Sequence, residues 1–253
     1  MYALERQQRI LQEARDRGRV EVAHIAPQLG VTTETIRRDL TALERHGLLR
    51  RVHGGAIPLD RLGFEPGLAT RDTRLTAEKE RIAKAALGEL PSEGAILLDA
   101  GTTTARLADA LPDDRDFTIV TNSLPIAMKL SSRPNLTLLF LGGRVRGRTL
   151  AAVDVWAMQA LEDSFVDIAF VGTNGFSVER GLTTPDPTEA AVKRAMIGAA
   201  RRAVVLADHT KFGNDTLMRF GSLQDVDTLI TDTGLNPELS REIESTGVRV
   251  VRA

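Results

Sequence analysis

Seven short apolar runs separated by helical stretches constrain this chain more than any other feature. The runs lie at 95–98, 117–120, 136–141, 168–171, 203–206, 228–230 and 248–251. They are continuous rather than alternating, as strands buried on both faces are. Helical spacing fills the intervals at about 103–111, 123–131, 154–162, 187–201 and 236–245. This alternation predicts a mostly parallel sheet covered by helices on both sides. A further helix over 76–90 leads into it, with Ile82, Ala83, Ala86, Leu87 and Leu90 inward.

The first 57 residues follow a different pattern. A helix over 3–17, with Leu4, Ile10, Leu11 and Ala14 on one face, is stopped by Gly18. A second helix over 23–29 ends at Gly30 and carries Pro27, which removes a backbone donor. Thr32 is placed to cap a third helix from Thr33 to about His46, with Ile36, Leu40 and Leu43 buried and Gly47 as its stop. Residues 48–57 read as a β-hairpin turning near Gly54 and Gly55. Two helices joined by a tight turn and followed by a basic hairpin are the parts of a winged helix-turn-helix. The expected fold is therefore α/β with an N-terminal winged helix-turn-helix. Residues 1–57 form the DNA-binding domain, 58–75 a linker and lead-in, and 76–253 a sensor domain with a mostly parallel sheet.

Charge supports the division. The 253 residues carry 33 basic and 34 acidic side chains, a net charge of −1. Residues 1–57 hold ten arginines against seven acids, so a +3 head sits on a −4 body. Double-stranded operator DNA is the partner such a head fits. The third helix presents Thr33, Thr35, Arg37 and Arg38 on its exposed side, and an arginine can pair bidentately with guanine. Arg50, Arg51 and His53 on the wing can reach phosphates or the minor groove. Asp39 is placed to orient one of the two helix arginines. The chain has no cysteine, which excludes disulfides, thiolate zinc sites and cysteine nucleophiles. The four histidines show no ligand spacing, so no metal is expected. No apolar run is long enough for a membrane span, and the charged first residues do not form a signal peptide. A cytoplasmic protein is the expectation.

In a parallel sheet, ligand loops follow the strand C-termini. The first such loop here carries Asp99, Gly101, Thr102, Thr103 and Thr104. A glycine to turn the chain and three hydroxyls at a helix start suit a phosphate. Thr121 and Asn122 follow the second strand, Gly143 and Arg144 the third, and Asn174 the fourth. Glu189 and Lys193 are four apart on one helix, a spacing that also suits a simple surface ion pair. Asp208 and Lys211 follow a later strand. Cations with many hydroxyl and amide groups, and few aromatics, favour a small phosphorylated sugar over a flat apolar ligand.

These motifs carry a resemblance. The segment Thr35-Ile36-Arg37-Arg38-Asp39-Leu40, then Leu43-Glu44 and Arg51-Val52-His53-Gly54-Gly55-Ala56, resembles the DeoR family of bacterial sugar-metabolism repressors. In the body, Asp99-x-Gly-Thr-Thr, Thr121-Asn-Ser, Gly142-Gly-Arg, the Glu189–Lys193 pair and Asp208…Lys211 match the same family. Its sensor domain is similar in fold to ribose-5-phosphate isomerase and coenzyme A transferases. The stretches 1–8, 144–150 and 183–187 look like the fructose-operon repressors of high-GC Gram-positive bacteria. The resemblance implies a repressor that has no catalytic residue or cofactor and leaves its operator on binding fructose 1-phosphate; a homodimer or homotetramer is expected because paired heads reading repeated half-sites multiply affinity. The sequence leaves open another sugar phosphate as effector and an activating role. It leaves open, more distantly, a sugar-phosphate isomerase using Glu189, Asp208 and Lys193.

Overall fold

The computed structural model of the chain describes residues 3–45, 48–58 and 65–253. Expectations for Met1, Tyr2, His46 and Gly47, for 59–64 of the linker and for the side chain of Leu4 lie outside the described residues. The chain divides into two compact units, Met1–Pro66 and Gly67–Ala253.

In the first unit, α1 (Ala3–Arg17) gives way to Gly18, whose φ of 73° is the left-handed conformation glycine adopts without strain. Then come β1 (Val20–Glu21), α2 (Val22–Gln28), α3 (Thr33–Arg45), β2 (Leu49–Val52) and β3 (Gly55–Pro58). One core joins them, with Ile10, Ala14, Ile25, Ile36, Leu40, Leu43 and Leu49 buried together. Pro27 falls in the last turn of α2. Both Pro27 and Ala23, whose carbonyl loses its helical donor, are exposed, so water can replace that bond. Thr32 caps α3 by accepting the Thr35 N–H at 3.2 Å. The hairpin extends into a three-stranded sheet of order β1-β3-β2. Gly55 lies opposite Glu21, and a Cβ on it would stand 1.9 Å from the Val20 carbonyl oxygen. Only glycine lets the wing close on β1.

The second unit opens with α4 (Leu68–Asp72), inside the stretch expected to be irregular, and α5 (Thr76–Ala86). The order continues β4 (Gly94–Leu98), α6 (Thr102–Ala110), β5 (Phe117–Thr121), α7 (Leu124–Leu130) and β6 (Leu136–Phe140). A short hairpin follows, β7 (Arg144–Val145) and β8 (Ala152–Val153), then α8 (Val155–Glu162) and β9 (Val166–Gly172). Next are β10 (Gly175–Ser177), β11 (Gly181–Thr184), α9 (Pro187–Gly198) and β12 (Ala200–Leu206). The chain ends with β13 (Met218–Gly221), β14 (Thr228–Thr231), α10 (Pro237–Glu244) and β15 (Arg249–Arg252). The helix expected to reach 201 stops at Gly198, because Ala200 is already paired with Val166 of β9.

All seven apolar runs are strands of one sheet, in the order β15-β14-β12-β9-β4-β5-β6, and every pairing is parallel. Successive residues enter opposite cores: Val204 packs with Ile96 and Phe170 on one face, Val205 with Leu97 and Leu229 on the other. Since the strands run the same way, the loops after β4, β5, β9, β12 and β14 share one edge of the sheet. Strands β10, β11 and β13 form a separate antiparallel sheet, and β7 pairs with β8.

Candidate DNA interface and effector site

On α3, Thr33, Arg37 and Arg38 are exposed while Ile36, Leu40 and Leu43 are buried. Arg37 Nη1 is 3.6 Å and Arg38 Nε 3.8 Å from the two oxygens of Glu34, itself exposed. Pairs of this length in solvent contribute little, so a phosphate or base edge can replace Glu34. Thr35 is half-buried and its hydroxyl is bonded to that of Thr32, so it serves the cap. Asp39 does not orient Arg37 or Arg38. It lies three residues after Ile36, on the buried side, and faces α1. Its carboxylate accepts from Arg6 Nε, from Arg6 Nη2 at 3.2 Å and from Gln7 Nε2 at 3.1 Å. The same bond raises the pKa of Arg6. On the wing, the Arg51 N–H donates to Glu44 at 2.8 Å and Nη1 to the Thr41 hydroxyl at 3.3 Å, which ties β2 to α3. Arg50 and His53 are exposed beside it, and the His53 carbonyl accepts from Arg19.

In the second unit, Asp99 ends β4 and is buried. It accepts hydrogen bonds from the Gly172 N–H at 2.9 Å and from the Lys193 ammonium, which also donates to the Gly172 carbonyl at 3.0 Å. Burial dominates and pushes the Asp99 carboxyl above its ordinary range, against the pull of Lys193. Glu189 and Lys193 are not a surface ion pair: both are buried and neither bonds the other. Glu189 accepts instead from Arg146 Nη1 at 2.6 Å and from the Thr149 hydroxyl, and Arg146 Nε lies 3.1 Å from Asp186. Asp186 caps α9 by accepting the Thr188 and Glu189 N–H groups.

Gly101 has φ −174° and ψ 160°, extended backbone open to any residue, so it does not supply the tight turn expected of it. What it supplies is room, since a Cβ there would lie 3.1 Å from Thr104 Oγ1. The Thr104 hydroxyl is committed to the carbonyls of Asp99 and Gly101 at 2.7 and 3.0 Å. Thr121 donates to the Leu98 carbonyl at 2.6 Å and accepts the Ser123 N–H. Asn122 bridges Ala100 N–H and the Ala152 carbonyl. These three side chains hold the loops in place. Thr102 and Thr103 remain: their hydroxyls have no hydrogen-bond partner among the described residues, and α6 begins without a side-chain cap.

At the end of β12, Asp208 is buried and accepts from the N–H and hydroxyl of Thr210. Burial opposes its charge, yet Lys211, Thr210 and Lys79 together hold its pKa below the ordinary value. Lys211 is half-exposed. Lys79, from α5, is buried and donates to the Arg71 carbonyl. Burial lowers its pKa to about 8, with Asp208 opposing the shift and Lys211 adding to it. Gly143 has φ 107°, and a Cβ would meet the Val153 carbonyl at 2.4 Å. Arg144 is exposed and bonded to Asp154 at 2.6 Å, apart from the buried ion pairs. Asn174 accepts the Thr184 hydroxyl at 3.0 Å.

Comparison with known proteins matches the model of the DeoR-like helix-turn-helix domain to residues 6–61 and that of the DeoR C terminal sensor domain to residues 74–233. The chain belongs to the DeoR family. Similar relatives within it include the HTH-type transcriptional regulator GlpR of Haloferax volcanii, 39% identical over 99% of this chain and 98% of that protein. The uncharacterized HTH-type transcriptional regulator FruR of Bacillus subtilis is 35% identical over 100% of both. The transcriptional repressor AccR of Agrobacterium fabrum is 32% identical over 91% and 90%. Among solved structures, a D-ribose-5-phosphate isomerase with phospho-erythronic acid is 17% identical over 56% of each chain, at a TM-score of 0.42.

Two residues at this edge of the sheet, Arg146 and Lys79, lie outside the set that the sequence pattern marks. Arg146 lies two residues past Arg144, and only the hairpin shows which of the two turns inward. Lys79 sits on an amphipathic helix, where a lysine ordinarily faces solvent; its burial is a tertiary property.

Proposed function

We propose that this DeoR-family protein is a transcriptional repressor of a sugar-utilisation operon, released from its operator by a sugar phosphate, with fructose 1-phosphate as the effector. The reading rests on one observation: an uncapped helix start with unpaired Thr102 and Thr103, and the Lys79–Asp208–Lys211 cluster, occupy the same edge of a parallel sheet. Such an edge takes a phosphorylated polyol. Lys79, Lys211 and the α6 N-terminus bind the phosphate; Asp99, Glu189 and Lys193 shape the floor through their ion pairs. Arg37 and Arg38 read the operator, and Arg50 and His53 contact its backbone. Two or four copies bring paired heads to repeated half-sites in the cytoplasm. Names of relatives such as FruR and AccR agree with regulation of this kind. No isomerisation is expected, since Glu189 and Lys193 are held in ion pairs rather than poised for proton transfer.

A thermal-shift screen tests the effector. Fructose 1-phosphate is expected to raise the melting temperature more than fructose 6-phosphate, glycerol 3-phosphate or inorganic phosphate, and to release operator DNA in a gel shift. A larger shift with another member of the panel would replace the fructose assignment.

A further inference from the structure

We propose that His209 is a specificity-determining contact of the effector site, its imidazole Nε2 accepting a hydroxyl of the bound sugar phosphate. The inference rests on the sugar-phosphate reading above and adds a residue to it. Asp232, at the end of β14, is buried, and both of its carboxylate oxygens engage His209 on the neighbouring loop. Its Oδ1 accepts the His209 backbone N–H at 2.8 Å, and its Oδ2 lies 2.8 Å from His209 Nδ1 and accepts the Gly234 N–H at 2.9 Å.

The backbone bond alone would pin the loop. The second bond does something else: it fixes the ring. A carboxylate only accepts, so Nδ1 donates to Asp232, and this fixes the tautomer in which an uncharged imidazole presents Nε2 as a lone pair. Gly234 is an independent sign that the ring position matters. A Cβ there would lie 2.4 Å from His209 Nδ1 and 2.7 Å from its Cγ. The chain keeps that space clear for the imidazole. The side chain stays about a third exposed, and Nε2 has no hydrogen-bond partner among the described residues.

His209 follows Asp208 and stands two residues before Lys211, on the sheet edge where Lys79 feels both. The lysines supply charge for a phosphate. A lone pair cannot bond a phosphate dianion, but it can accept from a hydroxyl, so Nε2 is matched to the polyol.

The discriminating variant is His209→Asn, whose amide nitrogen can reproduce the Nδ1 bond to Asp232 while removing Nε2. Binding of fructose 1-phosphate and of inorganic phosphate to the full chain would be measured by calorimetry, with the unliganded melting temperature as control. The expected result is a roughly tenfold loss for the sugar phosphate, the weight of one hydrogen bond, with phosphate affinity and melting temperature unchanged. His209→Gln, which places an amide near the Nε2 position, should recover part of the loss. Wild-type affinity in H209N overturns the inference and leaves the effector reading standing. A parallel loss of phosphate affinity or of melting temperature also overturns it, by making His209 a loop clamp. A wild-type protein that binds no sugar phosphate of the panel removes both.

Discussion

The proposed contact of Lys79 with the phosphate would couple effector binding to pH. Burial brings its pKa down to about 8, so the free protein gives up this proton as pH rises past that value. A phosphoryl group beside the amine favours the charged form, so the complex retains the proton. Binding above pH 8 therefore takes up a proton, and affinity must fall as pH rises. Calorimetric affinity for fructose 1-phosphate is expected to be nearly flat up to about pH 7, to fall about twofold by about pH 8, and to weaken by up to about tenfold per unit above it. Lys79→Met should weaken binding at pH 7 and abolish the slope; a flat profile to pH 9.5 in the wild type would place Lys79 away from the phosphate. Asp39 allows a second test. Removing it takes from Arg6, whose side chain is 12% exposed, and from Gln7 the carboxylate that both bond. Asp39→Ala is expected to cost the head about 3 kcal/mol in urea unfolding. Arg37→Ala and Arg38→Ala, on the open face, should change stability by under about 0.5 kcal/mol while weakening operator binding by about 1–3 kcal/mol. The opposite ranking would mean that the two arginines, not Asp39, hold the head together.

The start of α6 separates hydroxyls that build the element from those open to a ligand. Thr104 is fully buried and bonded to two carbonyls, whereas Thr102 and Thr103 retain free hydroxyls. Thr104→Val should lower stability by about 1–3 kcal/mol, because it takes the hydroxyl donor from the buried Asp99 carbonyl, whereas the Gly101 carbonyl keeps the Ala105 N–H. Thr103→Val should leave the unfolding midpoint in place and raise the effector concentration needed to release DNA. Equal effects of the two on stability would show that the cradle is only a cap. The seven sheet strands were legible in advance because a doubly covered strand must be continuously apolar. The wing and α3 were legible because capping and period-four burial are local. The small antiparallel strands of the body were not, being two to four residues long, too short to show a period. Their pairing is set by contacts such as that of Gly175, where a Cβ would strike the Asn214 carbonyl at 1.6 Å. In the site, residue types could be placed at the strand ends, but not which threonine or arginine turns inward. That depends on partners such as Glu189, forty-three positions from Arg146.

At the scale of the whole chain, each unit has its own core: Ile10, Ile36, Leu40 and Leu49 in the head, and the two faces of the seven-stranded sheet in the body. Two cores permit two unfolding transitions. A ligand stabilises only the state it binds, by about 2.7 kcal/mol at a free concentration of one hundred times Kd. In scanning calorimetry, fructose 1-phosphate is expected to raise the transition of the sensor unit, and an operator duplex that of the head. Repression relieved by an effector adds a further requirement. The two ligands must oppose each other, with a coupling free energy of about 1–3 kcal/mol, and linkage makes the effect reciprocal. With both present, the combined stabilisation should therefore fall short of the two separate gains by that amount. Operator DNA should weaken fructose 1-phosphate binding by the same factor by which the sugar phosphate weakens DNA binding. Strictly additive shifts, with equal effector affinity on free and DNA-bound protein, would mean that the sensor does not act on the head, and the repressor reading would fall even if both ligands bind.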